Sequence, residues 1–267
     1  MTWCFQIQFS LPKGQLSYVE KWPLMKSNEM AFLLGIYLAF ILKIGPMVME
    51  HFNAIQMRTI LTVYNAIKVA NSTMLTFQFL RYIQERGLFP RNCEYDDDVL
   101  YTIAALYWKY MVTKVLDLFD TVFFVLRKKY SQITFLHVYH HVFMVMITWS
   151  SLKYDPSDHW AFMAVLNCTI HVFMYAYYGI ASFGLKYRKY LWWKKYLTIM
   201  QLIQFLLIMI HVMIQTHITD CPMHAGTYWL GLSNIVLFIF LFMDFYNKKY
   251  RTGTPVDNLK IVCGKHQ

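Results

Sequence analysis

Charge is scarce in this sequence. Asp, Glu, Lys and Arg make up 15% of its 267 residues, against about 25% in an ordinary soluble domain. That points to a membrane protein before any motif is read. Cysteine is sparse as well: Cys4, Cys93, Cys168, Cys221 and Cys263 give neither a dense disulfide framework nor a metal-binding spacing. Residues 1–29 contain no continuous apolar run, so no cleaved signal peptide is expected. No repeat of useful period and no linker to a second domain is visible. Acidic residues are outnumbered by basic ones, 15 to 25, leaving a net charge of +10. In a membrane protein that excess reads as cytosolic loops, or as a site for an anionic ligand at the same membrane face, and does not call for nucleic acid.

What is abundant is hydrophobic sequence, 57% of the chain. Seven apolar stretches stand out: Met30–Met49, Arg58–Leu80, Val99–Leu126, Ile133–Ser150, His159–Ala181, Tyr196–Ile218 and Thr227–Tyr246. Each is near the ~20 residues a helix needs to cross the hydrocarbon core, so the expectation is an all-α membrane protein with seven transmembrane helices. The third stretch fits least well, because it carries Lys109, Lys114, Asp117 and Asp120. Basic clusters at Arg127–Lys129, at Lys186, Arg188, Lys189, Lys194 and Lys195, and at Lys248, Lys249 and Arg251 all fall on one side. That side is read as cytosolic. Residues 1–29 then form a lumenal segment, residues 30–250 the helical domain, and residues 251–267 a cytosolic tail. The loop at 81–98 dissents mildly, with Arg81, Arg86 and Arg91 accompanied by Glu94 and Asp96–Asp98.

Four of the stretches carry polar residues at helical spacing. The third has Lys114, Asp117 and Thr121, with Asp120 beside them. The fourth has His137, His140 and His141. The fifth has Asn167, His171, Tyr175 and Tyr178, and the sixth Thr198, Gln201, Gln204, His211 and Gln215. A charge facing lipid costs roughly 2.5 kcal/mol or more, so all four stripes are expected to face one shared interior. Interhelical hydrogen bonds or a structural ion pair could account for any one of them. Four together argue for a site. Asn71-Ser-Thr and Asn167-Cys-Thr match the glycosylation sequon but lie inside expected spans, so they are read as coincidental.

Three chemistries compete for His137-Val-Tyr-His140-His141. Metal is one, since HxxHH recurs in membrane di-iron desaturases and hydroxylases. A centre held by histidine alone needs several such clusters, however, and no second HxxHH or HxxxH exists here. A cysteine–histidine pair is the second, with Cys168 as the one intramembrane thiol; buried cysteine is most often a small inert hydrophobe. Imidazole acting as nucleophile and base is the third, with a carboxylate such as Asp117 orienting one ring. A lipid transporter using the same interior without chemistry stands beside these.

The ordered motifs Lys114-Val-Leu-Asp117-Leu-Phe-Asp120-Thr121, Val125-Leu-Arg127-Lys128-Lys129, the histidine run, Asn167-Cys-Thr-Ile-His171-Val-Phe-Met174-Tyr175 and Thr198-Ile-Met-Gln201-Leu-Ile-Gln204 resemble the very-long-chain fatty acid elongase family. Trp22-Pro23, Gly45-Pro46 and Tyr64-Asn65 extend the resemblance nearly end to end. It implies a seven-span fold whose last six helices enclose a narrow tunnel. It also implies condensation of a long-chain acyl-CoA with malonyl-CoA, with loss of carbon dioxide, in the endoplasmic reticulum membrane and without a cofactor. Carried over by motif, His140 takes the acyl group and His171 faces it across the tunnel, with His137, His141 and Asp117 supporting them. Lys114, Arg127, Lys129, Gln132, His137, Asn167, Tyr175, Lys194, Thr198, Gln201 and Gln204 are the expected substrate contacts. A homodimer and other enzymes of the elongation cycle are candidate partners. The resemblance also implies a Cys93–Cys221 disulfide, and both residues fall in loops read as lumenal, where disulfides persist. The chain departs from the family in having Asp117 where Glu is usual, in lacking the Pro of the basic-Pro-Phe stretch at His51–Gln56, and in ending without a dilysine signal.

Overall fold

A computed structural model describes residues 7–8, 16–90, 95–219 and 223–251. Among these, seven long helices carry the fold: α1 (Ser27–Glu50), α2 (Arg58–Arg86), α3 (Asp97–Leu126), α4 (Phe135–Tyr154), α5 (Ala161–Ser182), α6 (Lys194–Ile218) and α7 (Ala225–Tyr246). Two short parallel strands, β1 (Ile7–Gln8) and β2 (Met223–His224), pair beside the start of α7.

Local chemistry sets several helix ends. Asp96 caps α3 by accepting from the Val99 N–H at 2.8 Å, and Asp97 and Asp98 add negative charge to the first turn, where the helix dipole favours it. Thr134 caps α4 through the His137 N–H, which places the histidines in the first two turns. α2 runs past its apolar stretch to Arg86, supported by an Arg81–Glu85 pair one turn apart. It stops where Gly87 takes a φ of 91°, a conformation few other residues tolerate. Within α1, a π-helical turn at Phe40–Ile44 precedes Gly45-Pro46. A Cβ at Gly45 would lie 2.7 Å from Val125 Cγ1, so glycine is what lets α1 lie this close to the end of α3.

Four of the helices are long and apolar enough to cross a membrane: α1, α5 with the turn before it (Asp158–Ser182), α6, and α7 with the turn after it (Ala225–Arg251). α2, α3 and α4, also expected as spans, fall short on composition. The reason is visible in what they bury or hold inward: Asn65, Lys68 and Ser72 on α2, Lys114, Asp117 and Thr121 on α3, and the histidine run on α4. The surface is the reverse of a soluble protein's. Phe32, Ile36 and Leu42 on α1, Ile60, Ile67 and Phe77 on α2, and Val236 and Phe240 on α7 are exposed. Water does not accommodate apolar area on that scale, and lipid does.

The helices contact their neighbours in a circuit. α2 lies along α5 and touches α3; α3 packs on α4; α5 packs on α6, and α6 on α7. Between α4 and α7, the Tyr139 hydroxyl donates to Asn234 Oδ1 at 2.5 Å, and the His140 ring meets Phe238 edge-on at 5.3 Å. α1 stands outside this circuit, against α3. Residues 16–26 pack on one end of the bundle. Met25 is fully buried there, and the buried Lys153 ammonium on α4 donates to the Met25 carbonyl at 3.3 Å and to Ser27 Oγ at 3.0 Å.

Candidate active site

Asp117 is the electrostatic centre of the interior. Its carboxylate is ion-paired to Lys68 on α2; Lys114, one helical turn back on α3, lies 3.5 Å away. The Tyr175 hydroxyl from α5 lies between the two acids, 2.7 Å from Asp117 Oδ1 and 2.8 Å from Asp120 Oδ2, with one proton to share between these contacts. His171 Nδ1 lies 3.7 Å from Asp117 Oδ2. That is beyond hydrogen-bond length, and the buried Nδ1 has no hydrogen-bond partner. The shorter acidic side chain at this position therefore stops just short of the imidazole.

Lys114 reaches the other way as well. Its ammonium donates to Asn167 Oδ1 at 2.5 Å, and the Tyr110 hydroxyl donates to the same oxygen at 2.9 Å. Two donors on Oδ1 fix the amide's orientation, so the NH2 is the group Asn167 presents to the cavity it lines.

A second relay holds the histidine helix. The Tyr37 hydroxyl of α1 donates to Thr121 Oγ1 at 2.8 Å, and Thr121 lies 2.9 Å from His137 Nε2. Thr121 thus bridges α1 and the histidine helix through a single hydroxyl. The His137 and His141 rings lie 4.2 Å apart and His140 and His141 5.8 Å apart. His141 Nδ1 is buried without a partner.

A narrow apolar cavity of about 60 Å³, room for a few water-sized groups, starts at His140, Asn167, Gln204 and Asn234. It continues between α4, α5, α6 and α7, past Phe143, Ile147 and Ile208, to Ser151, Trp160 and Gly231. His140 is thus the one histidine of the run on the cavity wall. His171 turns instead to Asp117. Thr198 and Gln204 on α6 are buried and Gln201 is half-buried; Tyr178 keeps the expected face, its ring 6.2 Å from that of Tyr175, though it is 41% exposed, while Tyr177 is buried against Trp193. His211 is a packing residue: its ring lies between Phe89 and Phe162, 4.9 and 4.6 Å away, and Nε2 lies 3.1 Å from the Leu88 carbonyl. Cys168 is free and buried and does not line the cavity. Cys93 and Cys221 lie outside the described residues. Among the described residues, no group of three or more His, Cys, Asp or Glu is placed to share a metal ion.

The basic residues sit at the end of the bundle nearest His137. Arg127, half-buried, follows α3; Lys129 and Gln132 are exposed in the α3–α4 connection; Lys194 opens α6. Burial pushes the Arg127 and Lys129 side chains below their usual values, and the neighbouring Arg127 charge adds to the effect at Lys129. Cations held in this way favour an anionic ligand.

Sequence reasoning missed Lys68. It is 1% exposed, donates to the Thr113 carbonyl at 3.1 Å and sits 5.1 Å from the Tyr175 ring centre. The signal was available: a lysine in the middle of an apolar stretch is itself a site marker.

A profile of the family described as ELO: GNS1/SUR4 matches residues 22–257. Among curated relatives, a "Very long chain fatty acid elongase 7" of Drosophila melanogaster is 38% identical over 251 residues, covering 92% of this chain and 76% of the relative. A "Very long chain fatty acid elongase 4" of Homo sapiens is 39% identical over 237 residues, covering 87% and 75%. A "Very long chain fatty acid elongase 1" of Homo sapiens is 34% identical over 247 residues, covering 88% and 86%. With matches of this extent joined to a polar interior inside a lipid-facing bundle, the chain belongs to the ELO (GNS1/SUR4) family of multi-pass membrane proteins.

Proposed function

We propose that the chain is a very long chain fatty acid elongase, a 3-ketoacyl-CoA synthase that condenses a long-chain acyl-CoA with malonyl-CoA in the endoplasmic reticulum membrane. All seven helices span, with residues 1–29 lumenal and residues 251–267 cytosolic. The circuit α2–α3–α4–α7–α6–α5 encloses the acyl tunnel. The observation that carries this reading is that His140 and Asn167 line one apolar cavity.

The reaction runs in two halves. A nitrogen of His140 attacks the acyl-CoA thioester carbonyl; the C–S bond breaks, CoA leaves as the thiol with the imidazole proton, and the acyl group stays on the ring. The Asn167 NH2, oriented by Lys114 and Tyr110, stabilises the oxyanion of that step. Malonyl-CoA then loses carbon dioxide, and the resulting carbanion attacks the acyl-imidazole. The C–N bond breaks, giving 3-ketoacyl-CoA and an imidazolate that takes a proton from water to restore neutral His140. Asp117 positions His171 and Lys114 for this second half, His137 and His141 hold the His140 turn, and Tyr175 fixes Asp117 from above. CoA phosphates bind Arg127, Lys129 and Lys194, and Gln132, Thr198, Gln201 and Gln204 line the approach. Cys93 and Cys221 are joined by a disulfide, and the enzyme works as a homodimer beside other enzymes of the elongation cycle.

The test uses purified protein, a long-chain acyl-CoA and radiolabelled malonyl-CoA. Labelled 3-ketoacyl-CoA should form without added metal. Activity lost to a chelator and restored by iron would point to desaturase or hydroxylase chemistry instead. A His140→Ala variant that folds yet retains net lipid transfer and nothing else would point to a transporter.

A further inference from the structure

We infer that Trp160, seated on Gly231, is the floor of the acyl tunnel and sets the longest acyl chain that this enzyme elongates. The inference rests on the functional reading above.

From His140 to Ser151 the cavity wall follows α4 through eleven residue-to-residue steps, about 16 Å at 1.5 Å per residue. At the far end, away from the basic cluster, Trp160 and Gly231 meet. A Cβ built on Gly231 would lie 2.4 Å from Trp160 Cη2 and 2.9 Å from Cζ2. The indole tip therefore fills the place where a side chain on α7 would stand, and the floor consists of one ring resting on one bare backbone position.

The backbone beneath that ring is fixed. Trp160 ends a short turn that begins at Asp158. Asp158 is buried, accepts from Tyr82 and is ion-paired to Arg86 at 3.1 Å. The Tyr107 hydroxyl donates to the Ser157 carbonyl at 2.8 Å, so the second aromatic wall at this end is pinned to the same turn. The indole itself is not pinned. Its Nε1 is buried with no hydrogen-bond partner, and only packing against Gly231 and its neighbours holds it. A fixed backbone carrying an unpinned ring makes tunnel depth depend on two side-chain positions, one large and one absent.

The consequence is a length limit that moves with either residue. Trp160→Leu shortens the plug and deepens the tunnel. Gly231→Ala forces the ring off α7 and into the cavity, making the tunnel shallower. In an apolar pocket, room for one methylene changes rates by roughly tenfold or more, so the limit should move by about one two-carbon step.

The experiment assays the full-length protein in nanodiscs against a graded series of saturated acyl-CoAs with malonyl-CoA, with product lengths read by mass spectrometry. The measured quantity is the ratio of turnover on the acceptor two carbons beyond the wild-type optimum to turnover on the optimum. Trp160→Leu should raise this ratio roughly tenfold or more. Gly231→Ala should move the optimum to a shorter acceptor, and the double variant should behave like Trp160→Leu. Trp160→Phe, the milder change, should shift the profile in the same direction by less. Any variant without turnover is compared through its thermal stabilisation by the same acyl-CoA series. An unchanged chain-length profile in the folded variants overturns the inference. Failure of the wild type to condense any acyl-CoA would bring down the functional reading instead, and the acyl-CoA stabilisation series would still show whether Trp160 limits depth.

Discussion

Lys68 on α2 and Asp117 on α3 form an ion pair in which neither side chain is more than 5% exposed. A charge buried at that depth is tolerated only with its partner in place. Around this pair are gathered Lys114, Tyr175 and His171. Lys68→Met should therefore lower stability by about 3 kcal/mol, while Lys68→Met combined with Asp117→Asn should cost clearly less than the two single changes added together. Unfolding in detergent, followed by intrinsic fluorescence, measures this. Simple additivity would mean that the pair is not coupled.

His140→Ala should abolish condensation, whereas His211→Ala should affect stability more than turnover, because His211 is packed between two phenylalanines. With acyl-CoA alone, the wild type should release close to one equivalent of CoA in a burst and gain one acyl mass on His140. Absence of both the burst and the adduct would rule out the two-stage scheme.

Asn167→Leu keeps the approximate volume and removes the amide. If the NH2 stabilises the oxyanion, kcat should fall roughly 10²–10³-fold with little change in KM. A rise in KM at constant kcat would assign Asn167 to substrate binding alone.

Arg127→Ala and Lys129→Ala should raise KM for malonyl-CoA and leave kcat nearly unchanged, with the effect shrinking at high salt. Burial already lowers the Lys129 ammonium below its usual value, and a bound phosphate would raise it again. Binding then takes up a proton, so affinity should fall as pH rises through that lowered value, and should fall less in Lys129→Ala. A KM indifferent to both salt and pH would place the CoA phosphates elsewhere.

Non-reducing peptide mapping should recover Cys93 linked to Cys221, with Cys168 as a free thiol. Loss of the bridge in Cys93→Ser should cost at most roughly 4–5 kcal/mol. Alkylation of both cysteines in the folded protein without reductant would dispose of the bridge and weaken the proposed orientation.

The sequence by itself determined that this chain lives in lipid, where its helices run, and which polar residues turn inward. Those conclusions rest on local physics. An apolar stretch of about 20 residues has few alternatives to a helix in a bilayer, and a polar group at helical spacing has to turn inward. His137, His140, His141, Lys114, Asp117, Asn167 and His171 could be named on that basis before any fold was known. Partners were another matter, because a contact between helices depends on rotation and register, which the period of one helix does not specify. Only the tertiary structure decided that Asp117 pairs with Lys68 from the neighbouring helix and that His140, of the three histidines, meets the cavity. The seat of Trp160 on Gly231 belongs to the same class: one lies in the turn before α5 and the other on α7, and nothing in either local stretch indicates that the absence of one side chain makes room for the other.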